Sequence, residues 1–475
     1  MFEFIRYVLF ELQYGLRLAI LAVAAAGLFL LASWWIHKRK YKGQRKFPFK
    51  MAILWILLVG YAAVLIYATI LRGTGGWREW NLHLFRAWVE AWNTFSAKTW
   101  ANVLLNVAMF APLGILLPLM FKLFRKWCYT IPMGFVVSLG IEMIQLGLAR
   151  GIFDVDDLFA NTLGTAIGFF LIMSILALAE KKGHKWRRFA VNGSLFAVLV
   201  GAICMIFVIY ALQPYGNLQM AAAYRNDVEG ITWTTEFVAP DVPESVPLYK
   251  TQPRTVEDCD RFAEVFRQIV GAEYTTISYY EEAAYYMDQS GDENGTHFLH
   301  VHYLDPGYEY TFRPWQEDYT KQPAWTDTDR KTLEKLLEKL PLMIPESAEF
   351  SAEGDGWHSF TVCQEVDGAV MMDGTLRCRY AADGTVREVR NDLLSYTYHE
   401  TVSVISPEEA CELLMEGWFN DEGWLEHESP DIVEIISCVL VYEIDTKGYY
   451  QPVYRFELSV VDGSYENVIM IPAMK

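Results

Sequence analysis

Four carboxyl groups stand where membrane-length apolar sequence should exclude them. Glu142 interrupts the run MGFVVSLGIEMIQLGLA, followed three residues later by Gln145, and Asp154, Asp156 and Asp157 fall in the link that begins at Arg150. Asn106 lies in the preceding run (NVLLNVAMFAPLGILLPLMF), and Asn161 opens the next one. A charged group inside a bilayer is costly and by default marks a function, because it must find partners or a proton. Two kinds of chemistry fit these residue types. In a binding site, Glu142 and the aspartates would hold cationic or hydroxyl groups, and Arg150 a phosphate or carboxylate. In an enzyme, Glu142 would act as general acid/base, and Asp154, Asp156 and Asp157 would hold a divalent cation, which takes oxygen ligands. Structural roles compete with both. Asp156 or Asp157 would cap the following helix, Arg150 would pair with Asp154, and Glu142 would pair with Asn106 or Arg150. Adjacent Asp156 and Asp157 cannot both point into one site if the link is already helical.

Spacing gathers these groups. Ser138, Glu142 and Gln145 are four and three residues apart, so they share a helix face, as do Asn102 with Asn106 and Asp157 with Asn161. Gly164 and Gly168 form a GxxxG pattern that lets another helix approach closely. Pro112 with Gly114 predicts a kink that turns backbone carbonyls toward the site.

The elements that must position them are membrane helices. A bilayer core asks for about 20 apolar residues, and six runs qualify, at about 16–36, 50–71, 103–121, 129–149, 158–179 and 189–212. The first is followed, not preceded, by its basic cluster, so it reads as a retained helix and not as a cleaved signal. The links 37–49, 122–128 and 180–188 carry six, three and five Lys+Arg, while 72–102 and 150–157 carry four and one with acidic residues beside them. Lys and Arg favour the cytoplasmic side, so the first three links are expected inside and both termini outside. The polar cluster then collects at the outer face.

The charge divides with the hydropathy. Of 475 residues, 53% hydrophobic overall, positions 1–214 net +13 and positions 215–475 net −31. The expected organisation is an α-helical polytopic membrane domain of about six transmembrane helices at 1–213, followed by an acidic α+β extracytoplasmic domain at 214–475. Such a domain repels nucleic acid and suits a cationic envelope partner or simple solubility. The link 72–102 is rich in Trp, and Trp80, Leu84, Trp88 and Trp92 keep a four-residue spacing. That predicts an amphipathic interfacial helix, either an anchor among membrane lipids or a platform over the polar cluster.

The stretch from Asn81-Leu-His-Leu-Phe85 through Asn102, Asn106, Pro112, Gly114 and Pro118, resumed at Ser138, Glu142, Gln145, Arg150, Asp154-Val-Asp156-Asp157, Asn161, Gly164 and Gly168, resembles the VanZ-like family of bacterial membrane proteins. The resemblance covers roughly residues 50–180. It implies a role linked to low-level resistance to teicoplanin-type glycopeptides, with a lipid-linked envelope precursor or a lipoglycopeptide as the ligand of the pocket. Two departures stand out. The family is often shorter, and it more often shows a Pro-Phe pair where His83 and Leu84 stand here.

In the acidic half, helices are expected at 255–270, 327–340 and from Ser406 to about Gly417, and a hairpin at 296–313 turning on Asp305-Pro-Gly307. Further strands are expected around 357–366, 374–381, 385–390, 432–445, 452–461 and 466–472. The patterns Ile405-Ser-Pro-Glu-Glu-Ala410, Pro452-Val-Tyr-Arg-Phe456 and Ile469-Met-Ile-Pro-Ala473 are similar to PepSY-like and YycI-like extracytoplasmic modules, which implies binding or regulation. Of His297, His300 and His302, the last two would share a strand face, but no third ligand stands at a telling spacing, so strand histidines and no metal site are expected. The seven cysteines show no CxxC, and a Cys363–Cys378 disulfide depends on a register the spacing leaves open. No GxSxG, P-loop, HExxH or GxGxxG pattern occurs.

Overall fold

The computed structural model describes residues 2–41, 48–71, 79–149, 151–179, 184–235, 240, 242–288, 295–313, 324–420, 425, 430–460 and 466–475. The chain divides into two compact units, Met1–Pro214 and Tyr215–Lys475.

The first unit is helical. Its helices are α1 (Phe2–Tyr41), α2 (Phe49–Ile66, continued by a π-helical turn at Tyr67–Leu71), α3 (Arg86–Thr94), α4 (Ala97–Met120), α5 (Trp127–Leu148), α6 (Val155–Leu178) and α7 (Lys185–Leu212). Two short strands, β1 (Trp80–Asn81) and β2 (Phe153–Asp154), pair in parallel. Among the described residues five helices, α2 with its π turn and α4 to α7, are long and apolar enough to cross a membrane. The first expected span, 16–36, falls inside α1. The chain is a membrane protein, and exposed side chains such as Phe29, Trp55, Val198 and Leu212 present the apolar surface that hydrocarbon requires.

The centre of the bundle is the α4–α6 contact. A Cβ built on Gly164 would fall well inside 3.0 Å of the Val107 carbonyl, one on Gly168 would meet the Ala111 carbonyl, and one on Gly114 the Thr165 carbonyl. Glycine is needed at all three because backbone touches backbone there. The helix is continuous from Ala97 to Met120 through Pro112 and Pro118, and Gly114 is one of its packing points against α6. The interfacial Trp helix is corrected. Only Arg86–Thr94 is helical, Trp80 lies in β1, and Trp77 is outside the described residues. Trp88 faces inward, edge-on to Trp100 and to Phe159 with ring centroids 6.3 and 6.1 Å apart.

The second unit is sheet-rich. In chain order it contains β3 (Thr232–Thr235), β4 (Ser245–Lys250), α8 (Val256–Val270), β5 (Thr276–Tyr279), β6 (Ala283–Met287), β7 (Thr296–His302), β8 (Tyr308–Arg313) and α9 (Arg330–Leu337). There follow β9 (Glu349–Gly354), β10 (Trp357–Asp367), β11 (Val370–Tyr380), β12 (Val386–Asn391), β13 (Leu394–Ser403), α10 (Pro407–Met415), β14 (Ile432–Ile444), β15 (Tyr449–Val460) and β16 (Glu466–Pro472). Among the described residues one branched sheet runs β3-β14-β15-β4-β13-β11-β12-β8-β7-β6-β5, with β16 beside β15 and β9-β10 beside β11. Helix starts follow the capping rules. Thr255 with Asp258 and Ser406 with Glu409 form capping boxes, and Asp329 caps α9. Helix α9 is shorter than the expected 327–340.

Two cores lie on this sheet. One packs α8 and α9 on β6 to β8 and β10 to β12 around Phe266, Tyr308 and Phe360; the other packs α10 on β14 to β16 around Tyr454 and Phe456. Tyr249, Tyr396, Tyr442 and Tyr450 form a third, smaller cluster, with the Tyr396 and Tyr450 rings stacked 3.9 Å apart. The register of β10 with β11 sets His358 opposite Cys378 and Val362 opposite Gly374, so Cys363 and Cys378 do not meet, and both are free thiols. Each strand histidine has its own partner: His297 the Tyr310 hydroxyl at 2.9 Å, His302 Asp305 at 3.2 Å, and His300 Glu309 at 3.8 Å.

Candidate functional site

The carboxyl groups come together at the end of the bundle where α4 begins, α5 ends and α6 begins. The four-and-three spacing on α5 does what a helix dictates. Ser138 and Glu142 both face inward, with Glu142 only 1% exposed. Glu142 Oε2 accepts the backbone N–H of Asp154 at 3.0 Å, which ties the end of α5 to the start of α6. Asp154 Oδ1 in turn accepts the Asp156 N–H at 2.8 Å and the Asn81 Nδ2 at 3.1 Å.

Asp154, not Asp156 or Asp157, is thus the N-cap of α6, a correction to the capping expected from sequence. Asp154 has the extended backbone that an N-cap needs, whereas Asp156 and Asp157 are already helical and their side chains diverge. Asp156 turns to another helix. Its two oxygens accept the backbone N–H groups of Phe85 at 2.5 Å and Ala87 at 2.7 Å, so this carboxylate, 2% exposed, caps α3 and complements its dipole. Asp157 accepts the Asn106 Nδ2 from α4.

Asn81 is the residue that spacing could not assign. It pairs with Asp154 across the β1–β2 ladder, its Oδ1 accepts the His83 N–H at 3.1 Å, and Phe153 N–H reaches the Glu79 carbonyl at 2.9 Å. It stood in the stretch that carries the family resemblance, but its partner lies 73 positions away.

Deeper in the bundle, Asn161 Nδ2 donates to Ser138 Oγ at 2.9 Å, and Thr165 Oγ1 donates to the Asn161 carbonyl at 3.0 Å. Asn161 is 4% exposed, and its Oδ1 has no hydrogen-bond partner among the described residues. A buried acceptor left unmade costs about 1–3 kcal/mol, so Asn161 marks a point where the helix packing is held at an energetic cost. Gln145 Nε2 donates to the Thr69 carbonyl at 2.8 Å, in the last turn of the helix, where carbonyls run out of intrahelical partners. Arg150 lies outside the described residues.

Among the described residues no Lys or Arg forms an ion pair with Glu142, Asp154, Asp156 or Asp157; Arg86 is bridged to Glu90 at 2.7 Å. No group of three His, Cys, Asp or Glu in metal-holding geometry occurs among them, as the three aspartates point to Asn81, α3 and Asn106. Beside the carboxylates lies an apolar rim, with Trp80 69%, Leu82 67% and Ile152 48% exposed. Acid groups next to exposed apolar side chains can seat a molecule with a polar, donor-rich head and a hydrophobic tail.

The family model described as VanZ/LLP1 matches residues 51–178. Among solved structures, the Bacillus megaterium YpeB C-terminal domain is similar at 12% identity and a TM-score of 0.17, covering 47% of this chain and 95% of that one. No curated protein matches the chain. Residues 51–178, which hold every residue of the cluster from Asn81 to Asn161, form a VanZ-like domain in a membrane protein.

Proposed function

We propose that the cluster is an outer-leaflet binding site for an envelope molecule with a lipid tail, either a lipid-linked wall precursor or a lipoglycopeptide of the teicoplanin type. The observation that carries this reading is the juxtaposition of Glu142 and Asp157, without a described cationic partner, with the exposed rim of Trp80, Leu82 and Ile152. Amine and hydroxyl donors of the head would meet the Glu142 and Asp157 carboxyl groups, while the tail lies along the rim. Link charges support the orientation: the basic links 37–49, 122–128 and 180–188 would face the cytoplasm, and the cluster and the acidic unit after Pro214 the outside.

The test is susceptibility to teicoplanin and vancomycin in a glycopeptide-susceptible Gram-positive host. Cells with the wild-type chain are expected to tolerate more teicoplanin, and Glu142→Gln and Asp157→Asn to lose the effect at equal protein level. No change with the wild type would sink the antibiotic reading. Where it does protect, unaltered extracted wall precursors support binding. Altered ones would mark a membrane enzyme instead, with Glu142 as its general acid/base.

A further inference from the structure

Far along the chain from the carboxylate cluster, α1 and α2 line an open cleft of about 440 Å³, in the range of ligand-sized pockets of roughly 300–1,000 Å³. Its walls are Leu30, Leu31 and Trp34 from α1 and Phe49, Ile53 and Ile56 from α2, with no charged residue among them. It lies toward the C-terminal end of α1 and at the N-terminal end of α2, the helix ends that flank the densest basic segment of the sequence. Seven Lys and Arg fall between Lys38 and Lys50, and no Asp or Glu occurs from Leu12 to Arg78.

The cations are tied to the cavity mouth. Lys38 Nζ lies over the ring of Trp34, itself a wall residue, 5.3 Å from its centroid, and the Arg39 guanidinium lies over Trp35 at 3.7 Å. Cation–π contacts of this kind hold a charge at the membrane interface without neutralising it. An apolar slot one helical turn below unneutralised positive charge matches one kind of occupant: an acyl chain attached to an anionic head.

We propose that the α1–α2 cleft binds an anionic phospholipid, with one acyl chain between Leu31 and Ile53 and its phosphate between Lys38 and Lys50. The site is separate from the carboxylate cluster and would bind lipid in the leaflet that the 37–49 link faces. Lipid bound there fastens α1 to α2 and so joins α1, which lies outside residues 51–178, to the VanZ-like domain.

The experiment uses the full-length chain in nanodiscs containing phosphatidylglycerol or phosphatidylcholine probes that carry a diazirine in the acyl chain, with crosslinked residues mapped by mass spectrometry. Phosphatidylglycerol is expected to label residues 27–34 and 49–56 several-fold more than phosphatidylcholine, and both to label α7 alike. Gly27 lines the cleft, and a Cβ there meets nothing within 4 Å, so Gly27→Phe should be accommodated with its ring filling the slot, removing its labelling while leaving that of α7. Lys38→Gln and Lys50→Gln should each lower the phosphatidylglycerol preference by about fivefold, as one interfacial charge is worth about 1 kcal/mol. Equal labelling of the cleft by both probes overturns the proposal. So does labelling that survives Gly27→Phe, or, should that variant fail to fold, a preference that survives both lysine substitutions.

Discussion

Substituting Gly164 by Ala tests the contact on which the candidate site depends. The new Cβ would stand well inside 3.0 Å of the Val107 carbonyl, whose oxygen belongs to an α4 backbone that has no flexible end to move aside. Restoring ordinary contact at 3.4 Å or more requires α4 and α6 to part by on the order of 1 Å. Overpacking of this kind costs about 1–3 kcal/mol, against which the better helix propensity of Ala returns up to about 1 kcal/mol. Gly140 on α5 is the matched control, because a Cβ there meets nothing within 4 Å, so Gly140→Ala keeps only the propensity gain. The assay is thermal unfolding of the intact chain in detergent. With about 2–4 °C per kcal/mol for a unit of this size, Gly164→Ala is expected to melt several degrees below wild type and Gly140→Ala at or slightly above it. Parting these helices also draws Asn106 away from Asp157, so the Gly164 variant should lose any ligand that binds there. Equal melting of the two variants would refute the close α4–α6 contact and the geometry built on it.

Asp156→Ala removes the acceptor for two α3 amides and is expected to cost about 1–2 kcal/mol, read as faster hydrogen exchange across residues 85–90 with the rest of α6 unchanged. In the acidic unit, Asp305 beside His302 holds its imidazole above the usual histidine value, with Asp392 and Glu309 adding to the effect. A raised folded pKa adds stability that is fully present below about pH 6.5 and is lost as pH rises through the folded value. Protection of the 296–313 hairpin against exchange, corrected for intrinsic rate, should therefore fall as pH rises above about 6.5, and Asp305→Asn should flatten that dependence. Cys363 should react with a maleimide in the folded chain without prior reduction, whereas Cys259 and Cys378, both buried, should react only on unfolding.

Local chemistry was legible in the chain wherever one segment settles its own structure. Apolar length marks the spans because a helix crossing hydrocarbon must satisfy its backbone internally. Thr255 and Ser406 begin helices because a hydroxyl can accept an amide three residues on, and Asp305-Pro-Gly307 turns a hairpin by its own backbone preferences. The inward face shared by Ser138 and Glu142 follows from the 3.6-residue period alone. By contrast, β4 (SVPLYK) carries no clean alternation, and its pairing with β13 joins residues 147 positions apart, which neither segment encodes by itself.

The role of each acidic residue was decided only by the fold. Asp154, Asp156 and Asp157 are nearly adjacent and chemically alike, yet one caps its own helix, one caps α3, and one meets Asn106. Those assignments depend on where β1, α3 and α4 dock, from 51 to 73 positions away in sequence, and no spacing within the link encodes that. The same holds for Gly114, whose place as a point where two backbones touch is set by Thr165 on α6. Sequence determined that polar groups enter the membrane and on which helix faces they lie; tertiary packing alone determined which are spent on structure and which, like Asn161 Oδ1, are left open. The physical reason is that a side chain's direction follows from its own helix, whereas its partner is supplied by another.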